Sequence, residues 1–403
     1  MEMEGRQERG LEIARQKQVE QVKDGWLVKS QSGNGYYHVG EDFDCDCPDY
    51  QKNKATCKHA YAVRHYLQAE TPMGEVIHKE RLTYSQAWKA YDAAQIEEIR
   101  LFDELLKDLV AGIEEPAYGF GRPRLSLKEQ AFCAVQKVYS QLSCRRAVSL
   151  FGNAVAKGQI THKPHYGSTA KFLNCAETTP LLERLISLSA APLNSIETDF
   201  AVDSTGFSTS QFGSYCQEKY RAERRHEFIK AHACVGVKTN IVTSVEVTGE
   251  NGADIVQFQA LVEKTANGGF SVKEVSADKA YSSRMNLETV AELGGTAYIP
   301  FKKNATDKMG CSLAWKRLYH YFQLHADEFY EHYHKRSNVE STFAAIKKKF
   351  GEKLKSKNPI ARKNELLCKI LAYNLTVVIQ EMKELGITPD FCFLSSRSVS
   401  KVN

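Results

Sequence analysis

The sequence predicts an α/β protein: a mixed sheet flanked by helices, preceded by a small β-β-α module and a helical domain. Three observations carry that prediction. The stretch "GWLVKSQSGNGYYHVG" (25–40) alternates apolar and polar residues ahead of a cysteine cluster and the helical run "HAYAVRHYL". From Ser126 onward, apolar residues recur at helical spacing. Beyond "IETDFAVDSTGF" (196–207) the pattern changes to strands alternating with helices, in the order β-β-β-α-β-α-β-α.

In the first module Gly33, Asn34 and Gly35 supply a hairpin turn between two strands. Residues from Glu70 to Tyr118 are helical and charged in pattern, ending in "EEPAYGFGRPR", whose prolines and glycines mark a linker. Ser126 with Glu129 three residues on forms a capping box, and Phe132, Val135 and Val138 continue that helix. Short helices at "SCRRAVSLFGNAV" and "GSTAKFLNC", parted by Gly158 and Pro164, permit a helix-turn-helix; the same pattern suits a helical packing domain without a DNA role. A strand then stops at Asp203, and two more flank a Lys238-Thr239-Asn240 turn. Asp254 caps a helix whose Ile255, Phe258, Leu261 and Val262 share a face, stopped by Gly268 and Gly269. A strand through Val272 and Val275 ends at Asp278; a helix from Met285 to Leu293, the strand "AYIPF" and the helix holding Glu340 complete the order. The expected organisation is 1–68 cysteine-bearing β-β-α module, 69–122 helical linker, 123–195 helical domain, 196–383 α/β domain and 384–403 tail.

Hydrophobic content of 42% and charged content of 26% belong to a folded chain, and 403 residues suit two or three domains. Eleven cysteines are too sparse and irregular for a disulfide framework, and "MEMEGRQERG" lacks an apolar signal core, which points to a reducing cytoplasm. The longest apolar run, "LLCKILAYNLTVVI", is interrupted by Lys369 and Asn374 and reads as a buried helix, so no membrane partner is expected. The net charge is +5, but Lys347, Lys348, Lys349, Lys353, Lys355, Lys357, Arg362 and Lys363 face only Glu352 in their interval, which suits a polyanion.

Cys45 and Cys47, then nine residues, then Cys57 and His59, present three thiols and an imidazole. Tetrahedral Zn²⁺ takes this donor set, and four protein ligands close a structural site with no position left for catalysis. The pattern Cys-x-Cys, spacer, Cys-x-His, followed by "CKHAYAV", resembles the SWIM zinc finger, a module whose partners are DNA or protein.

A second constellation joins distant acids. Asp203 and Asp278 lie at strand ends, where ligand-facing residues of open α/β sheets gather. On a helix at about 100° per residue with Arg336 at 0°, Tyr333 falls near ~60°, Glu340 near ~40° and Lys347 near ~20°, on one stripe. "AVDSTGF", "SADKAYSS" and Tyr333-x2-Arg336-x3-Glu340-x6-Lys347 together resemble the DDE transposases of bacterial insertion sequences, over roughly Leu125 to Ile379.

That resemblance implies an RNase H-like catalytic domain in which Asp203, Asp278 and Glu340 hold two Mg²⁺ or Mn²⁺ ions for DNA cleavage and strand transfer. It further implies that Tyr333, Arg336 and Lys347 grip DNA, with Lys348 and Lys349 extending the track. DNA is then the expected partner, as terminal inverted repeats and target, bound by a homo-oligomer associated with the nucleoid. Lys230, His232, Lys238 and Lys279 are further candidates for facing nucleic acid. A non-enzymatic zinc-containing DNA-binding regulator and a host nuclease are the competing readings. The interval between "AYIPF" and Glu340 is too short for a large β-rich insertion.

Overall fold

The alternation near the N-terminus gives the two strands expected of it, and a helix and a third strand precede them. In the computed structural model, which describes residues 5–16, 18–31, 33, 35–40, 42–53, 56–70, 87–117, 120, 125–209, 228–306, 312–389 and 391, α1 (Gly5–Arg15) precedes β1 (Val19–Val22), β2 (Gly25–Lys29) and β3 (Tyr36–Val39), then α2 (Pro48–Asn53) and α3 (Lys58–Glu70). The strands form an antiparallel sheet in sequence order, pairing Val19 with Val28 and Trp26 with Val39. The short "VEQV" of β1 has too little apolar content to stand out. Asn34 of the expected turn lies outside the described residues; beside it Ser30 N–H donates to Gly35 O at 2.9 Å. Gly10 lets α1 lie against α3: a Cβ there would sit 2.6 Å from Tyr61 Cβ.

The chain divides into two units, Met1–Arg81 and Leu82–Asn403. The second opens with α4 (Trp88–Ala111), α5 (Leu127–Tyr139), α6 (Cys144–Ala156), α7 (Tyr166–Asn174) and α8 (Thr178–Ala190). Residues 71–86, 118, 119, 121 and 122 of the expected linker lie outside the described residues, as do 123 and 124 after it and, in the tail, 390 and 392–403. Where a linker helix was expected, α4 buries Leu101, Phe102, Leu105, Leu106 and Leu109 in the same apolar core as the sheet. Ser126 caps α5, accepting from Glu129 N–H at 3.4 Å; the Glu129 carboxylate turns instead to Thr161, leaving the capping box half made.

The sheet holds β4 (Asp199–Ser208), β5 (Phe228–Gly236), β6 (Val242–Gly249), β7 (Glu274–Ala277) and β8 (Thr296–Tyr298) in the order β6-β5-β4-β7-β8. β4, β5 and β6 are antiparallel, and β7 and β8 run parallel to β4. This is the RNase H-like arrangement. Asn240 takes a left-handed φ of 62° in the β5–β6 turn, and the buried Glu197 carboxylate accepts from the Thr239 amide and hydroxyl at 2.5 and 2.7 Å. Helices α9 (Asp254–Asn267), α10 (Arg284–Glu292), α11 (Leu313–Leu324), α12 (Ala326–Tyr333), α13 (Ser337–Phe350) and α14 (Pro359–Glu384) complete the unit. α9 begins without a side-chain cap, because Asp254 bonds elsewhere. α11 and α12 fill an interval where no helix was anticipated.

α14 contains the interrupted apolar run, and both interruptions are used. Asn374, fully buried, accepts from Val242 N–H at 3.0 Å and donates to Val242 O at 2.7 Å, tying the helix to β6. Lys369, 3% exposed, donates to the Gly351 and Lys353 carbonyls at 2.7 and 2.9 Å beyond α13, and burial lowers its pKa to about 8. Among the described residues no helix is long and apolar enough to cross a membrane. Asn374→Leu strands a buried amide and carbonyl, so it should destabilise the larger unit by about 2–4 kcal/mol in urea unfolding, more than the cost of Thr376→Val on the same helix.

Candidate functional site

The parallel ladder between β4 and β7 ends at Val202 paired with Ala277. Asp203 and Asp278 are the next residue on each strand, so the register sets them side by side. β4 does not stop at Asp203, as expected, but runs to Ser208 because β5 continues to pair with it there. Each aspartate ties one oxygen to the following amide: Asp203 Oδ1 accepts from Ser204 N–H at 2.8 Å and Asp278 Oδ1 from Lys279 N–H at 2.7 Å. The other oxygen of Asp203 accepts from Arg336 Nη1 at 2.6 Å, while Arg336 Nη2 donates to Glu340 Oε1 at 2.6 Å. The guanidinium thus bridges the first and third acids.

The stripe from Tyr333 to Lys347 is not one helix. α12 ends at Tyr333, a 3-10 turn spans His334–Arg336, and α13 starts at Ser337. The turn is clamped by Lys335, which the motif reading passed over. Asp199 and Glu274 face each other across β4 and β7, and Lys335 Nζ donates to Asp199 at 2.7 Å and Glu274 at 2.5 Å. His332 adds a contact to Glu274 at 2.9 Å and stacks on Tyr298. Consecutive residues of one turn therefore put a cation against acids at both ends of the β4–β7 pair.

Burial raises the Asp203 pKa, and the charges of Glu340 and Asp278 raise it further, against the Ser204 amide and Arg336. Burial also works against the Arg336 charge, yet Asp203 and Glu340 hold its pKa above the ordinary value. Tyr333 lies beneath Arg336, ring centroid 6.0 Å from the guanidinium carbon. The Tyr281 hydroxyl is buried beside Ser204, and burial followed by the Asp203 and Asp254 charges raises its pKa. Its spacing of three from Asp278, one 3-10 turn, was the available signal. On the opposite face of β4, Ser204 and Lys230 both bond Asp254, at 3.1 and 3.0 Å.

The basic residues divide. Lys347 donates to Thr205 Oγ1 at 2.9 Å and lies over Phe207, beside the carboxylates. Lys348 is exposed, whereas Lys349 pairs with the largely buried Glu98 at 2.6 Å. His232 is wholly buried and bonds Thr248 at 2.8 Å, so it faces no nucleic acid. Lys230 is engaged with Asp254, and Lys238 and Lys279 are exposed.

In the smaller unit, Cys45, Cys47, Cys57 and His59 are buried, and their ligand atoms all lie within 4.8 Å of one another. Cys45 and Cys57 Sγ stand 3.9 and 4.0 Å from His59 Nδ1, near the roughly 3.6 Å that tetrahedral zinc sets between sulfur and nitrogen ligands. Hydrogen bonding from Cys45, then from His59, lowers the Cys57 pKa to about 3; the Cys45 pKa rises through the same contact and burial. Tyr37 packs on the imidazole at 4.7 Å.

Residues 38–67 match the family model of the SWIM zinc finger, and residues 194–375 match that of the transposase DDE domain. The chain carries a DDE transposase domain behind a SWIM zinc finger. No solved structure matches it. The transposase domain match spans the whole sheet and the helices bearing Arg336 and Glu340.

The donor sets of the two domains differ as their metals would. The SWIM set of sulfur and nitrogen fits structural zinc. The acids of the transposase domain offer only oxygen, which fits a hard divalent cation, and the repulsion that raises Asp203 is what such a cation relieves. Among the described residues, however, only the zinc set is gathered within 4.8 Å; the acids are spread around a guanidinium.

Chelation should remove one zinc per chain and make the 1–81 unit trypsin-sensitive while the 82–403 unit keeps its melting transition, since structural zinc supplies on the order of 10 kcal/mol to modules of this size. Lys335→Met removes the cation held between two facing carboxylates, leaving Glu274 only its His332 contact, and should cost about 1–3 kcal/mol by urea unfolding.

Proposed function

We propose that the protein is a metal-dependent transposase that cuts the DNA ends of its element and joins them to a target. The observation that carries the reading is the register of β4 and β7, which sets Asp203 beside Asp278 while Arg336 links Asp203 to Glu340. Asp203, Asp278 and Glu340 would hold two Mg²⁺ or Mn²⁺ ions, which supply an activated water or 3′-hydroxyl and neutralise charge on the leaving oxygen. Their amide-bound oxygens fix the two aspartates, leaving Oδ2 of each for the site.

DNA approaches from the side where Glu340 is 56% exposed and Lys347 stands over Thr205, with the exposed Lys348 and Lys353 following in sequence. Lys353 is positioned by a bridge to Ser208 at the end of β4. A second DNA surface is supplied by 143–174, which contains Arg145, Arg146, Lys157, Lys163 and Lys171 and no acidic residue. α6 and α7 within it are the helix-turn-helix candidates, and Arg145 lies 5.1 Å over the Tyr166 ring. Two ends must be held at once, so the working form is an oligomer on DNA. The SWIM finger adds a further contact to DNA or to protein.

The test is cleavage and joining of a duplex bearing the element's terminal repeat, in Mn²⁺. Asp203→Asn, Asp278→Asn and Glu340→Gln should each lower the rate at least about 10³-fold with DNA affinity retained. DNA binding without chemistry in the unaltered protein would favour the regulator, and full activity in all three variants would remove these residues from the reaction.

A further inference from the structure

Arg336 occupies a place that the motif does not explain. A phosphate-gripping arginine should point outward, yet this side chain is only 23% exposed and spends both terminal nitrogens on acids, at 2.6 Å each. Its neighbour Lys335 supplies a comparison within the same turn. Lys335 is 13% exposed and enclosed between Asp199 and Glu274, both about one-fifth exposed. Arg336 shares Asp203, 20% exposed, with Glu340, 56% exposed, so one side of its cage is open to solvent. The two cations are equally paired but unequally enclosed: Lys335 is a permanent fastener, and Arg336 has a way out.

The acids explain why something positive must stand there. Asp203 sits beside Asp278 by register, and Glu340 reaches the same locus. Three carboxylates without a counter-charge repel one another in a partly buried setting. A guanidinium spanning two of them neutralises the excess, fixes their separation and engages the Asp203 oxygen that is not tied to an amide.

We propose that Arg336 is an internal counter-ion that competes with divalent cations for Asp203 and Glu340, keeping the site closed until the guanidinium swings away. This rests on the reading of the three acids as the metal-holding site. It assigns Arg336 a positioning role before DNA is engaged, and makes the affinity for divalent ions in the free protein a property of this one side chain.

The test is Mn²⁺ binding, followed by electron paramagnetic resonance of the free ion, with the full-length zinc-loaded protein and no DNA. A site closed nine-tenths of the time binds about tenfold more weakly than the same site left open, so Arg336→Gln should bind Mn²⁺ about tenfold more tightly than the unaltered protein. Arg284→Gln removes an equal charge from the start of α10, where Arg284 is paired with Glu288 and touches none of the three acids, and should change affinity less than about threefold. Arg336→Lys, which keeps the charge but not the two-pronged geometry, should also tighten binding, and carries the test if the glutamine variant fails to fold. Equal affinities in Arg336→Gln and Arg284→Gln, or unchanged affinity in Arg336→Lys, overturn the proposal. Adding Asp203→Asn separates the two readings. If it abolishes Mn²⁺ binding, the acids are the metal site whatever Arg336 does; if binding persists unchanged, the ions lie elsewhere and the reading of the site itself fails.

Discussion

Two like charges on adjacent strands, one residue past the end of a parallel ladder, are the constraint around which the larger unit is arranged. β4 and β7 place Asp203 against Asp278, and neither acid can move off without disturbing the buried strands Phe200–Val202 and Val275–Ala277 behind them. The fold must then bring compensating groups to that spot. It does so with the amides of Ser204 and Lys279, with Arg336, and with Lys347 above Thr205. The core behind the sheet makes the demand strict, because a partly buried carboxylate is far more costly to leave uncompensated than an exposed one.

The helices are built to hold those groups still. The buried stretch of α14 from Leu366 to Ile379 is mostly apolar, and Lys369 and Asn374 within it are tied to backbone: Asn374 to β6, Lys369 to the carbonyls that follow α13. The second of these fixes the exit of α13 and the start of the basic segment together. A lysine that would look misplaced in a buried run is thus the link between the core and the basic surface.

Much of this was legible in the residues. The periodicity change near 196 marks the sheet, the Cys-x-Cys and Cys-x-His pairs mark the zinc module, and Asp203 and Asp278 are visible as charges closing apolar runs, though only Asp278 lies at a strand end. Three things were not legible, for physical reasons. A helical wheel assumes unbroken α geometry, so the 3-10 turn at His334–Arg336 was invisible to it. Lys335 reads as one more surface cation until the register of β4 and β7 brings Asp199 and Glu274 together. And α4 reads as a charged linker helix because its apolar stripe finds its partner, α14, more than two hundred residues later.

The clamp at Lys335 has a kinetic consequence. Since the turn is fastened to the sheet through Asp199 and Glu274, the backbone beneath Arg336 is stationary, and the guanidinium can change partners by rotating its own side-chain bonds. Rotamer hops take picoseconds to nanoseconds at exposed positions; at Arg336, 23% exposed, two ion pairs must first part. Vacating the acids therefore asks for side-chain rotation alone, with no hinge, lid or domain movement.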